Sequence, residues 1–172
     1  MTNRPQPGEY PEYTAGYIAK VPDGEITDLL AGRLHEVSDW IDKLPEELGE
    51  VRYAPDKWTV KETLSHMIDT ERVMSYRLLG VARGDQTPFP GFDQDEYVRN
   101  GAVISRTFEE IAKDYTAVRT ATLTLLDGLS EEAWPRQGTV NGYPTTVRAL
   151  AYIIAGHELH TLGVLREKYL QV

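Results

Sequence analysis

Apolar residues recur at helical spacing in four separate stretches, and two of these open on the same signal, Thr-x-x-Glu. The first stretch runs from Glu25 to Leu44, with Ile26, Leu29, Leu30, Leu34, Val37, Ile41 and Leu44 on one side, and Pro45 marks its exit. The second opens at Thr59-Val60-Lys61-Glu62, continues through Leu64, Met67, Ile68, Leu78 and Ala82, and stops near Gly84. The third opens at Thr107-Phe108-Glu109-Glu110, carries Ile111, Tyr115, Val118, Thr122 and Leu125, and ends at Asp127-Gly128. The fourth begins near Thr145, after the turn Asn141-Gly142-Tyr143-Pro144, with Val147, Leu150, Ala151, Ile154, Leu165 and Tyr169 in its stripe. Four one-sided helices bury their stripes most simply against one another, so the expected class is all-α, a four-helix bundle. No segment shows convincing strand alternation.

The connection from Gly84 to Ser105 joins the second and third helices and is the anomaly of this plan. Unstructured loops beyond about 12–15 residues are uncommon inside compact domains. Phe89, Phe92 and Tyr97 lie among its turn residues, which reads either as one wall of a pocket or as a plain packed crossover. Residues 1–22, with Pro5, Pro7, Pro11 and Pro22, read as an irregular arm laid over a bundle that spans 23–172.

At 172 residues the chain has room for one domain with a proper core and not comfortably for two. The net charge of −9 argues against a nucleic-acid partner, which needs a Lys/Arg footprint. No apolar run approaches the roughly 20 residues that cross a bilayer, so no membrane is expected. The arm lacks the apolar core of a signal peptide, and the expected address is cytoplasmic. The absence of cysteine removes disulfides, thiolate ligands and a cysteine nucleophile together.

Chemistry therefore falls to the four histidines, His35, His66, His157 and His160. His35 has no partner pattern. His157 and His160 stand three apart on the fourth helix, close enough in spacing to share a metal. Helical phase qualifies this. At about 100° per residue, with Val147 at zero, Ile154 falls near −20° and Leu165 near 0°, which fixes the stripe. Glu158 at about +20° and Thr161 at about −40° are polar residues inside that stripe and need buried partners. His157 lies on its flank at about −80°, and His160 points away at about −140°. On the second helix His66 lies about 160° from Leu64, on a face with Glu62, Asp69, Val73 and Arg77. That face is either solvated surface or the lining of a cleft.

Trp58-Thr59-Val60-Lys61-Glu62-Thr63-Leu64-Ser65-His66-Met67-Ile68-Asp69 resembles the second-helix signature of the DinB/YfiT-like superfamily. Ala82 to Phe92 resembles the linker of one of its subgroups, and Ala155-Gly156-His157-Glu158-Leu159-His160 through Leu165-Arg166-Glu167 resembles its fourth helix. The resemblance covers nearly the whole chain beyond the arm. It implies a bundle with unusual threading, assembled as a homodimer, and a divalent metal, zinc or nickel, held by three histidines. His66 matches the second-helix ligand, His157 the first of the fourth-helix pair, and position 161 the second. Here position 161 is Thr161, a poor ligand beside imidazoles. His160 next door, or Glu158, is then the candidate third donor, and the candidate metal set is His66, His157 and His160.

The function implied is a divalent-metal-dependent enzyme of the thiol S-transferase or hydrolase type. Its substrate would be a small molecule, with a low-molecular-weight thiol as a possible partner since the chain supplies none. The other reading is a metal-free bundle that binds a small molecule or another protein.

Overall fold

The computed structural model describes residues 4–170, so the first three residues of the arm and the last two of the chain lie outside it. Helix α1 is Ala15–Lys20, α2 is Ile26–Asp42, α3 is Val60–Ala82, α4 is Gln94–Asn100, α5 is Phe108–Asp127 and α6 is Val147–Val164. Both Thr-x-x-Glu signals are complete capping boxes. Thr59 Oγ1 accepts from the Glu62 amide at 3.1 Å while the Thr59 amide donates to Glu62 Oε2 at 2.7 Å. Thr107 and Glu110 repeat the exchange at 3.2 and 2.8 Å. At the other end of α3, Gly84 takes φ +81°, and the Gly84 and Asp85 amides close a Schellman motif on Val81 and Gly80.

Helix α2 packs on α5 and α6, and α3 packs on the same two. Helix α2 therefore stands diagonally across the bundle from α3, and α5 from α6, while α3 and α5, joined by the long connection, are neighbours. The core falls into two apolar clusters. Leu30, Leu78, Leu126 and Leu150 belong to one, and Ile41, Leu64, Ile111 and Leu162 to the other. In every bundle helix a polar residue falls between the two layers: Arg33 on α2, Glu71 on α3, Arg119 on α5 and Glu158 on α6.

Two features depart from the sequence reading. A β-hairpin, Gln137–Val140 (β1) with Tyr143–Thr146 (β2), pairs antiparallel around Asn141-Gly142, whose φ values of +50° and +81° suit the tight two-residue hairpin turn. The long connection joins it: Phe89 donates its amide to Thr139 O at 2.9 Å and accepts from the Asn141 amide at 2.8 Å. Phe89 is thereby buried in the core, and the connection goes on through α4 rather than staying irregular. Secondly, the N-terminal arm is not wholly irregular, because a single turn at Glu12–Thr14 leads into α1. Helix α1 lies on the outer side of α6, with Ile18 and Val21 in the core. Among the described residues no helix is long and apolar enough to cross a membrane.

Candidate functional site

Helix α6 is buried almost all round, because α1 covers the side that the bundle leaves open. Contact there is close: a Cβ added at Gly156 would stand 2.1 Å from the Tyr17 carbonyl oxygen. The glycine lets the arm cross α6 one residue before His157 and brings the Tyr17 ring over it, edge to face with centroids 5.5 Å apart. The outward face of α3 is covered in the same way. Trp58 packs on His66 with centroids 4.7 Å apart and the rings tilted by 47°, and the Tyr169 hydroxyl, from the π-helical turn that extends α6, donates to the Trp58 carbonyl at 2.6 Å. The face of α3 that carries His66 is thus a cleft lining.

In this cover His66 and His157 meet. Their Nε2 atoms are 3.1 Å apart and their rings are inclined by 75°. Both residues are buried, at 9% and 8% exposure. Burial lowers the His66 pKa to about 4, with Asp95 opposing the shift, and burial together with His66 and His160 lowers that of His157 to about 3. Both imidazoles are neutral at neutral pH, with nitrogen lone pairs available. Edge-to-face and tilted contacts with Tyr17 and Trp58 hold the two rings, and neither Nδ1 has a hydrogen-bond partner among the described residues.

The cleft in front of the pair has a volume of about 460 Å³, and Tyr17, Thr161, His160, Asp95 and Tyr169 line it. His160 is half-buried in this wall, 5.3 Å from the Tyr17 ring, and burial lowers its pKa, as does Lys20. It does not complete a triad. Among the described residues no three His, Asp or Glu side chains are grouped closely enough to hold one ion. Glu158 is removed as a candidate donor altogether. Its Oε2 accepts from Arg119 at 2.6 Å and from the Tyr115 hydroxyl at 2.7 Å, and its Oε1 accepts from Arg33. The phase that puts Glu158 in the core stripe turns it into the bundle's centre, away from the cleft.

Residues 29–165 match the sequence profile of the DinB superfamily. The chain belongs to that superfamily. YfiT from Bacillus subtilis, a probable metal-dependent hydrolase with an unusual four-helix bundle topology, matches with a TM-score of 0.71 at 13% identity, over 98% of this chain and 93% of that one. The mycothiol-dependent maleylpyruvate isomerase matches with a TM-score of 0.66 at 15% identity, over 84% of this chain and 61% of that one. At such identities the likeness is one of fold. No protein of curated function matches the sequence significantly.

Against the three histidines that the sequence resemblance implies, the donor set here is short by one. Two nitrogens bound to one zinc at about 2.0–2.1 Å and a tetrahedral angle stand roughly 3.3 Å apart. The observed 3.1 Å fits that spacing. Thr161 adds a hydroxyl and no charge. The spacing of the two imidazoles is thus compatible with one ion, and no third His, Asp or Glu is grouped with them among the described residues.

Sequence reasoning missed Tyr17 and Thr70. It also placed Arg77 on the His66 face without seeing a second cavity there, described below. No local pattern marks Tyr17; its signal was Gly156, a small residue beside a histidine on a helix buried on all sides.

Proposed function

We propose that this chain is a metal-dependent enzyme acting on small molecules, with a divalent cation, zinc or nickel, held by His66 and His157. The observation that carries the reading is the meeting of two neutral, buried imidazole Nε2 atoms at 3.1 Å on the floor of a cleft. A cation bound there acts as a Lewis acid and lowers the pKa of a water or thiol that reaches it. The chain's own part is to keep both imidazoles unprotonated, to fix their rings between Trp58 and Tyr17, and to bring Thr161 and Tyr17 hydroxyls to the cleft for orienting a substrate. The thiol S-transferase and hydrolase types both suit such a site. A thiol must come from a small molecule, because the chain has no cysteine. A homodimer belongs to the same reading and is checked by sedimentation.

A second reading is favoured by a specific observation. One N–H···N hydrogen bond satisfies both Nε2 atoms without any ion, and no acceptor fixes either Nδ1, whereas metal-bound histidines usually have one. The cleft would then bind its small molecule metal-free.

Metal analysis of untagged protein separates the two. The enzyme reading expects close to one zinc or nickel per chain, a rise in Tm on adding either, and loss of both effects in His157→Asn. Substoichiometric metal with no thermal gain would falsify it and leave the metal-free reading. Thr161→His is expected to tighten metal binding at least tenfold, since it restores the missing imidazole.

A further inference from the structure

Behind the histidine pair lies a second cavity of about 320 Å³. It shares Tyr17, His66, Gln94 and His157 with the first cleft, so the pair stands between two lobes of one space. Its far wall is Arg77, only 4% exposed. Among the described residues Arg77 meets no carboxylate. Its Nη2 donates to the Pro90 carbonyl, its Nη1 reaches only the Met74 thioether at 3.5 Å, a weak acceptor, and the Phe92 ring lies 5.7 Å from its centre. Burial lowers its pKa, opposed in part by the Tyr13 and Tyr97 phenols. The contrast with the other buried arginine is sharp, since Arg119 donates to two carboxylates.

Thr70 lines the same cavity and is 5% exposed. Its Oγ1 is the one buried side-chain N or O atom among the described residues that has no hydrogen-bond partner. Other helix threonines settle this locally: Thr63, Thr116, Thr120 and Thr122 each donate to the carbonyl four residues back. Thr70 does not, so a residue of the cavity wall keeps an unused hydroxyl donor. Asn141 and Tyr13, joined at 3.2 Å, complete the polar lining, and the remaining wall is apolar, with Met74, Phe92 and Ile153.

We infer that this lobe binds the carboxylate of the substrate, with Arg77 as its counter-charge and Thr70 as a hydrogen-bond donor, while the substrate's other end meets His66 and His157. The claim that the far end reacts rests on the reading of the histidine pair above; the carboxylate subsite does not. A carboxylate suits a single guanidinium, which matches it two-point. A phosphate dianion would call for further cations, and the described lining of this lobe has none. On α3, His66, Thr70 and Arg77 share one face within about 40°. His66 and Arg77 are separated by roughly 16 Å of helix axis, and by less between side-chain tips because the longer Arg77 reaches farther back toward the helix N-terminus, as its contact with Met74 shows. The substrate is therefore an elongated monocarboxylate with an apolar middle.

The test uses chelator-treated protein, so that no metal offers a competing site for the anion, and hexanoate, hexan-1-ol and hexyl phosphate as probes in titrations followed by NMR. Hexanoate is expected to bind at least tenfold more tightly than hexan-1-ol. Arg77→Met abolishes that preference, and Arg77→Lys, which keeps the charge without the fork, retains part of it. Thr70→Val weakens hexanoate two- to fivefold while Tm stays the same or rises, because an unpaired hydroxyl has been deleted. Should Arg77→Met not fold, Arg77→Lys and Thr70→Val decide. No preference for hexanoate over hexan-1-ol, including binding of neither, overturns the subsite. Tighter binding of hexyl phosphate than hexanoate overturns its assignment to carboxylates, and a fall in Tm with unchanged hexanoate affinity in Thr70→Val overturns the role of Thr70. Because these titrations are made without metal, their outcome does not depend on the metal analysis, so failure of the metal reading is told apart from failure of this one.

Discussion

His157 and Glu158 are adjacent on α6, about 100° apart around it, and they enter two opposite kinds of buried polar site. Glu158 belongs to a closed network. Arg119 gives Nε and Nη2 to Glu71 at 2.8 and 2.9 Å, Nη2 again to Glu158 at 2.6 Å, and Nη1 to the Leu30 carbonyl at 3.2 Å, while Tyr115 and Arg33 complete Glu158. Every bundle helix contributes, and two cations face two anions. Burial opposes the charge on Arg119, yet its bonds to Glu71 and its pairing with both carboxylates more than offset this and raise its pKa. His157 belongs to an open site, with two neutral rings, no charge compensation and a cavity on either side. Saturation marks the first as architecture. Unused hydrogen-bonding capacity marks the second as the place where a ligand acts.

The strongest way to break this comparison is Arg119→Met. It leaves Glu71 and Glu158 buried without their shared cation and is expected to cost about 3–5 kcal/mol, measured by urea unfolding. Replacing Glu71 and Glu158 by leucine in the same chain should recover much of that loss, because an apolar layer does not need the pairing. If Arg119→Met unfolds at the wild-type midpoint, the network does not hold the bundle.

Next comes Gly156→Ala. The new Cβ meets Tyr17 backbone, which cannot swing aside as a flexible side chain does. A loss of about 1–3 kcal/mol is expected. Tyr17 should also leave His157, visible as a change in the His157 ring shifts in NMR. A variant of wild-type stability with unchanged shifts would mean that the arm does not touch α6.

How much of this division could be read in advance differs from helix to helix. The two capping boxes and the apolar stripes locate α3 and α5 almost to the residue, because both signals are local. Phase correctly set Glu158 in the core, but its partners come from two other helices, α2 and α5, and pattern on one helix cannot name them. Phase left the His66 face open between solvated surface and cleft lining for a related reason: its cover comes from Trp58, α1 and the connection after α3, none of which has helical phase with it. The hairpin had a local signal, Asn141-Gly142 beside β-branched Thr139 and Val140, but strands of four residues are too short to show alternation.

Acid should tell the two sites apart in metal-free protein. His66 and His157 titrate near the ordinary value of 6.5 when unfolded, and near 4 and 3 when folded. Well above pH 6.5 both are neutral in either state and contribute no pH dependence. Below it the unfolded chain takes up protons that the folded chain refuses, so stability falls as pH falls toward the folded values. Between pH 6.5 and 5.5 the expected loss is on the order of 1–2 kcal/mol. Unchanged stability across that interval would mean the imidazoles are not buried neutral.

The smallest expected effect on stability is also the most discriminating. His66→Phe combined with His157→Phe removes both partners of the open site and replaces them with apolar rings between Trp58 and Tyr17. Because neither ring compensates a charge, stability at pH 7 should change by less than about 1 kcal/mol. The variant should also lose the fall in stability between pH 6.5 and 5.5, and with it any uptake of zinc or nickel. A loss comparable to that of Arg119→Met would place the histidines with the architecture after all, and the distinction between neighbouring residues of α6 would collapse.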